Sequence, residues 1–258
     1  MALSSTLKKL LLLSTLTLLG CRPGERTPPA DAPPLVRLHR IQKSGIDLTI
    51  LVFDTRLNYL EILDKPAGPE SAPRTAKTAA EQAGALAALN GGFFTPEGQP
   101  LGFLRTHGED LGGLHPGPLG EGLVLDTPPT LLRRENFRKV SQQARHILQA
   151  GPFLILDSQA CAGLRGREPR DRAFLLSDGK HLFALAHSSA CSLESLAQAL
   201  AQQPIPEFHI ERALNLDGGT SADLWISREI PGGPLERSSF FRKPVRNYLL
   251  LKSPNPAS

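Results

Sequence analysis

Aromatic residues are scarce in this chain: 11 Phe, 2 Tyr and 1 Trp among 258 residues. A platform for stacking nucleobases needs rings interleaved with a basic stripe, and no such stretch is present. Charge of one sign is also missing, with a formal net charge of +4. Lys8 and Lys9 fall in a leader expected to be removed, leaving about +2 and no electrostatic case for nucleic acid. No Gly-x-Ser-x-Gly elbow occurs, and His187-Ser188-Ser189 does not make a triad, so a serine hydrolase has little support. No His-x-x-x-His pair occurs, and His187 four residues before Cys191 is too little for a zinc site. The leucine-rich run near the N-terminus extends about ten residues, too short to span a bilayer.

That run has a meaning of its own. MALSSTLKKLLLLSTLTLLGC joins a short basic stretch to an apolar run and ends in Leu18-Leu19-Gly20-Cys21. It reads as a secretory leader over residues 1–20, and Gly20 before Cys21 resembles a bacterial lipobox, in which the cysteine is acylated. The plainer alternative is an ordinary leader with an incidental cysteine. Residues 21–34 are proline-rich and polar, which predicts a semi-extended tether. Arg22 stands where an Asp would resemble an inner-membrane retention signal. The expected location is therefore the cell envelope, lipid-anchored at the outer membrane and facing the periplasm. In an oxidising compartment the other two cysteines, Cys161 and Cys191, form either a disulfide or two buried thiols.

Alternation and short apolar runs predict strands in LVRLHRI, IDLTILVF, YLEIL, GLVLD, FLIL, AFLLSD, HLFALAH and ERALNLD, with one more in the tail. Helices are expected over residues 77–86, over 141–149 up to Gly151-Pro152, and after Ser192, where Leu193, Leu196, Ala197 and Leu200 share a face. The fold class that fits is α+β: a single domain over residues 35–252, built on a mixed or antiparallel sheet with a few packed helices, followed by a short tail at 253–258.

Three polar stretches interrupt this pattern: Asn90-Gly91-Gly92, the arginines at 165, 167, 170 and 172, and LNLDGGTSADLW from Leu214 to Trp225. Each has a bland reading, as a turn, a solvated face and a hairpin turn respectively. In the last, alternation places Asn215 and Asp217 on one face with Leu214 and Leu216 behind them. Two strands ending in Asn or Asp plus paired glycines bare backbone N–H groups for close approach by sugar or phosphate oxygens.

The order ALNGGFF, GQPLGFL, AGPFLI, an arginine before a strand and DGK, then LNLDGGTSADLW resembles the phosphodiester glycosidase family over most of residues 45–250. The resemblance implies a hydrolase acting on a sugar-1-phosphodiester, without a cofactor, in exported glycans such as exopolysaccharide or other envelope carbohydrate. It carries functional positions onto Asn90, Gly91 and Gly92, and onto Asp217, Gly218, Gly219 and Ser221, beside Thr220. The family arginine selects Arg170, eight residues before Asp178-Gly179. The chain departs from the family with Asp171-Arg172-Ala173-Phe174, which makes Arg172 a second candidate and predicts that Phe174 narrows the pocket.

The leaving group at the anomeric carbon is then a phosphate monoester of low pKa, so the usual pair of carboxylates relaxes to one carboxylate and a cation. Asp217 is the candidate carboxylate and Arg170 or Arg172 the phosphate clamp. Asn90 and Asn215 are expected to orient hydroxyls or phosphate. Glu211 is a weaker second carboxylate, better read as a solvated strand residue. No metal ligands are assigned, though room for a bound divalent cation near Asp217 remains. The competing reading is a non-catalytic glycan-binding lipoprotein of the same fold.

Overall fold

The computed structural model describes residues 36–126, 128–137, 144–164 and 167–253, and these form one compact unit. The leader, Cys21, the tether and Arg165 lie outside the described residues.

Among the described residues seventeen strands, numbered along the chain, pair into three sheets. The first runs in the order β1 (Val36–Lys43), β2 (Ile46–Asp54), β13 (Leu182–Cys191), β12 (Arg170–Ser177), β14 (Arg212–Asn215), β10 (Phe153–Leu156), β11 (Gln159–Ala160). The second is β16 (Leu235–Ser238), β15 (Asp223–Ile226), β4 (Ala87–Asn90), β17 (Asn247–Lys252), β3 (Tyr59–Asp64). The third is β6 (Glu109–Leu111), β5 (Leu104–Thr106), β9 (Ile147–Ala150), β7 (Gly122–Asp126), β8 (Pro129–Arg133). Neighbouring strands are antiparallel throughout. The expected mixed or antiparallel sheet is thus three antiparallel sheets, and the α+β class holds with a strong bias to strand.

Period-2 alternation explains how the sheets share one interior. Leu51, Leu89, Leu148, Leu175, Leu214 and Leu249 come from all three sheets into a common core. In the first two sheets their chain neighbours face outward onto α-helices, while in the third Ile147 packs with Phe103, Leu123 and Leu125. Leu176, Phe174 and Ala213 pack under α2 (Leu193–Ala201), while Ala88, Trp225 and Leu250 pack under α1 (Ala76–Ala83). Ser192 caps α2 by accepting from Ser195 N at 3.0 Å. Thr75 and Thr78 form a reciprocal capping box at α1, and Gly84, left-handed at φ 62°, ends that helix.

The helix expected over residues 141–149 fails in its second half, where Ile147–Ala150 is strand β9. Residues 141–143 lie outside the described residues. The reason is tertiary: all four residues of β9 are buried and paired between β5 and β7, which overrides a local pattern too short to decide.

Candidate functional site

Two strand ends from different sheets meet at the site. β14 leaves the first sheet after Asn215, with Leu216 N still donating to Ala173 O at 2.9 Å. The next residue changes sheet: Asp217 N donates to Gly91 O, at 3.2 Å, just past the end of β4. Asn90 closes the junction. Its Nδ2 donates to Asp217 O at 2.6 Å and its Oδ1 accepts from Asp223 N at 3.0 Å.

Both ends of the Asn90 amide are therefore bound to backbone, and the residue is fully buried. The sequence reading put Asn90 against the ligand; the structure makes it the tie between the two motifs. Gly91 and Gly92 differ from expectation in the same way. Asn247 takes both N–H groups, Gly91 N through its backbone carbonyl at 3.0 Å and Gly92 N through Oδ1 at 2.9 Å. A Cβ on Gly91 would collide with the Asn247 side chain, and one on Gly92 would sit 2.9 Å from Leu148 Cδ1. These glycines admit neighbouring strands rather than a ligand.

The second motif faces open space. Asp217, Gly218 and Asn215 line a cleft of about 690 Å³ with Arg170 and Arg172. Phe93, Leu119, Phe153 and Leu164 supply apolar wall, and Glu121, Arg167 and Glu168 complete the polar lining. Leu214 and Leu216 are fully buried behind them. Gly218 N donates to Asp217 Oδ1 at 2.9 Å, and the Ser221 hydroxyl also bonds the carboxylate. Those contacts favour the ionised form, but burial outweighs them and lifts the Asp217 pKa to about 6. Gly219 adopts φ 62° to start the turn Gly219–Ser221, while Thr220 is exposed and holds Lys243 N through its carbonyl at 2.8 Å.

Asn215 donates from Nδ2 to Gly151 O and Leu216 O, at 3.0 and 2.8 Å. Its Oδ1 is buried without a hydrogen-bond partner among the described residues, an acceptor left over at the cleft.

A bulge places the arginines. Arg170 pairs with Cys191 but Arg172 pairs with Ser188, so three steps on β13 face two on β12. Arg170 sits at the exposed rim, ion-paired to Glu168 at 2.6 Å. Arg172 is buried, with Nε on Cys191 O and Nη2 on Glu168 O, both at 3.0 Å, and burial lowers its pKa. Phe174 does not narrow the cleft: it points from the same strand into the core under α2. Glu211 is paired with Arg212 at 3.3 Å and packs against Gly179, in keeping with its bland reading.

Three carboxylates escaped the sequence reading, among them Glu168, which pairs with Arg170 at the rim. Glu121 lines the cleft and accepts from Phe153 N at 2.9 Å. Asp171, between the two arginines, turns toward the other flank of the Asp217 turn, where burial raises its pKa. Strand alternation was a usable signal for Asp171; Glu121, beside Leu119 in a segment without a motif of its own, carried none. Cys161 and Cys191 are free thiols, half-buried and buried. Among the described residues no group of His, Cys, Asp or Glu is arranged to hold a metal ion.

Comparison with known proteins agrees with this architecture. The zebrafish N-acetylglucosamine-1-phosphodiester alpha-N-acetylglucosaminidase catalytic domain, auto-inhibited by its pro-peptide, superposes with TM-score 0.60 at 16% identity, over 87% of this chain and 85% of that one. A hypothetical protein from Synechocystis gives TM-score 0.57 at 17% identity, over 87% of this chain and 65% of that one. At such identities the likeness is one of fold. No curated protein matches the chain by sequence. The family model of phosphodiester glycosidases matches residues 83–252, which include both Asn/Asp-Gly-Gly motifs and both candidate arginines. The chain belongs to the phosphodiester glycosidase family.

Proposed function

We propose that this protein hydrolyses the glycosidic bond of a sugar-1-phosphodiester, with Asp217 and the arginine pair as its working groups. The observation that carries the reading is the desolvated carboxylate of Asp217 in a cleft shared with Arg170 and Arg172. The leaving phosphate is already a stable anion, since its second pKa is about 6, and needs little protonation to depart. The bond from anomeric carbon to oxygen breaks with its electron pair going to the phosphate. A guanidinium beside that oxygen balances the new charge. Water supplies the oxygen that joins the carbon and releases one proton. Asp217, ionised at neutral pH, stabilises or attacks the cationic carbon, or accepts that proton. The unpartnered Oδ1 of Asn215 suits a substrate hydroxyl.

The proposal extends to setting. Acylation at Cys21 would hold the enzyme at the outer membrane, each buried methylene contributing roughly 0.8 kcal/mol, so that its substrates are envelope or exopolysaccharide glycans. The test uses the domain from Leu35 onward and its Asp217→Asn variant, matched for folding by circular dichroism. Both are incubated with a panel of sugar-1-phosphodiesters, including UDP-N-acetylglucosamine, and assayed for free sugar. Release by the wild type alone is the expected result. A folded wild type that binds the panel glycans and releases no sugar would replace hydrolysis with glycan binding.

A further inference from the structure

The cleft beside Asp217 does not end there. The turn Gly219–Ser221 also borders a shallow depression of about 490 Å³, and beyond it lies a polar cleft of about 520 Å³. The three share lining residues in sequence. Arg170, Asp217 and Gly218 line both the main cleft and the depression. Asp171 lines both the depression and the polar cleft. Two further segments pass from one to the next by a single residue: Ala190 borders the depression and Ser189 the polar cleft, and Ser239 and Ser238 do the same. Asp171 sits within the bulge between Arg170 and Arg172.

We propose that the groove is one extended glycan channel: the phosphodiester lies at Asp217, and hydroxyl-bearing sugar units of the same chain occupy the polar cleft. This rests on the hydrolase reading above and adds to it where the glycan beyond the phosphodiester binds, which favours an oligomeric chain over a small sugar phosphate. The chemistry of the polar cleft carries the choice of ligand. Arg40 and Arg237 stand against Asp47 and Asp171, two cations against two carboxylates, so the cleft selects no net charge. Burial and the charge of Arg237 hold the His187 pKa at about 4, which keeps the ring neutral at neutral pH. Its Nε2 is buried at the cleft wall and has no hydrogen-bond partner among the described residues. Donors and acceptors in balance match sugar hydroxyls, which do both, better than a phosphate, which only accepts. Binding energy gathered there, away from the bond that breaks, is available to position that bond at Asp217.

The experiment compares the mature chain with its Arg40→Ser/Arg237→Ser double variant. Arg40 is exposed and Arg237 half-exposed, so neither change threatens the core. The substrates are the methyl diester of N-acetylglucosamine-1-phosphate and oligosaccharide phosphodiesters of increasing length. We expect kcat/KM of the wild type to rise about tenfold from the methyl diester to the longer chains, mainly through KM, and the double variant to lose that rise. Equal kcat/KM at all lengths, or a rise that survives in the double variant, overturns the channel while leaving hydrolysis of the methyl diester as evidence for the catalytic reading. A calorimetric titration of the Asp217→Asn protein with the same chains separates the two ideas in the other direction. Length-dependent binding that needs Arg40 and Arg237 supports the channel even where no substrate turns over, and its absence overturns it.

Discussion

The chain carries two motifs of nearly the same composition, Asn90-Gly91-Gly92 and Asp217-Gly218-Gly219, and the fold uses them oppositely. The first lies fully inside. Its amide and both backbone N–H groups are bound by other backbone or by Asn247, and a methyl group at either glycine meets a neighbour. The second lies at the wall of a cleft, with a carboxylate raised to a pKa of about 6. A Cβ at Gly219 would find its nearest neighbour, Arg170 Cδ, at 3.5 Å. Glycines needed for close packing and glycines placed beside open space look alike in a sequence. What separates them is whether another strand arrives from elsewhere in the chain, as β17 and β9 do at Gly91 and Gly92.

The comparison can be broken most directly at its carboxylate. Asp217→Asn should lower turnover by about 10³-fold, within the range for losing a positioned acid–base group, measured on whichever phosphodiester the wild type cleaves. The same change should make the protein more stable at neutral pH. The folded-state pKa of Asp217 lies above its unfolded value near 3.8, so the associated stability is present below pH 4 and lost as pH rises through 6. Removing a charge penalised by burial is worth on the order of 2–3 kcal/mol at pH 7.5 and about 0.5 kcal/mol at pH 4. Thermal melts of the two proteins at both pH values test this, and a variant less stable at pH 7.5 would contradict the desolvation of Asp217. Wild-type activity, for its part, should fall as pH drops below about 6, when the carboxylate is protonated.

The inner motif should fail in stability instead. Gly91→Ala forces Asn247 aside and is expected to destabilise by about 3 kcal/mol or more. Asn90→Ala strands a buried carbonyl and a buried N–H, for a loss of roughly 2–4 kcal/mol. Urea unfolding measures both, and a stable Gly91→Ala protein would undo the close-packing account. The smallest effect belongs to Gly219→Ala, which meets no clash and gives up only the ease of positive φ, about 1 kcal/mol. Its consequence should appear as a fall of a few degrees in the melting temperature together with a change in KM.

Much of the fold was legible because alternation is a local property. LVRLHRI and IDLTILVF became β1 and β2, and Ser192 capped its helix as Leu193, Leu196, Ala197 and Leu200 implied. The face assignment of Leu214 to Asp217 was legible for the same reason. Residues 147–150 were misread because four residues inside a sheet take their conformation from β5 and β7, which lie elsewhere in the chain. Phe174 was expected to narrow the cleft because it stands where the family has small residues, yet it lies one step further along the face that carries Arg172, where the packing of α2 holds it in the core.

By itself the sequence determined the strand-rich character, the family and the alternation that sets Asn215 and Asp217 apart from Leu214 and Leu216. These follow from residue-by-residue chemistry and chain order. Only the tertiary structure decided that Asn90 ties two sheets together, that Gly91 and Gly92 serve packing, that Arg172 is buried and Arg170 exposed, and that Asp171 opens onto a second cleft. Each of those depends on which groups meet across long loops, and burial and hydrogen-bond partnership do not exist until the chain has closed upon itself.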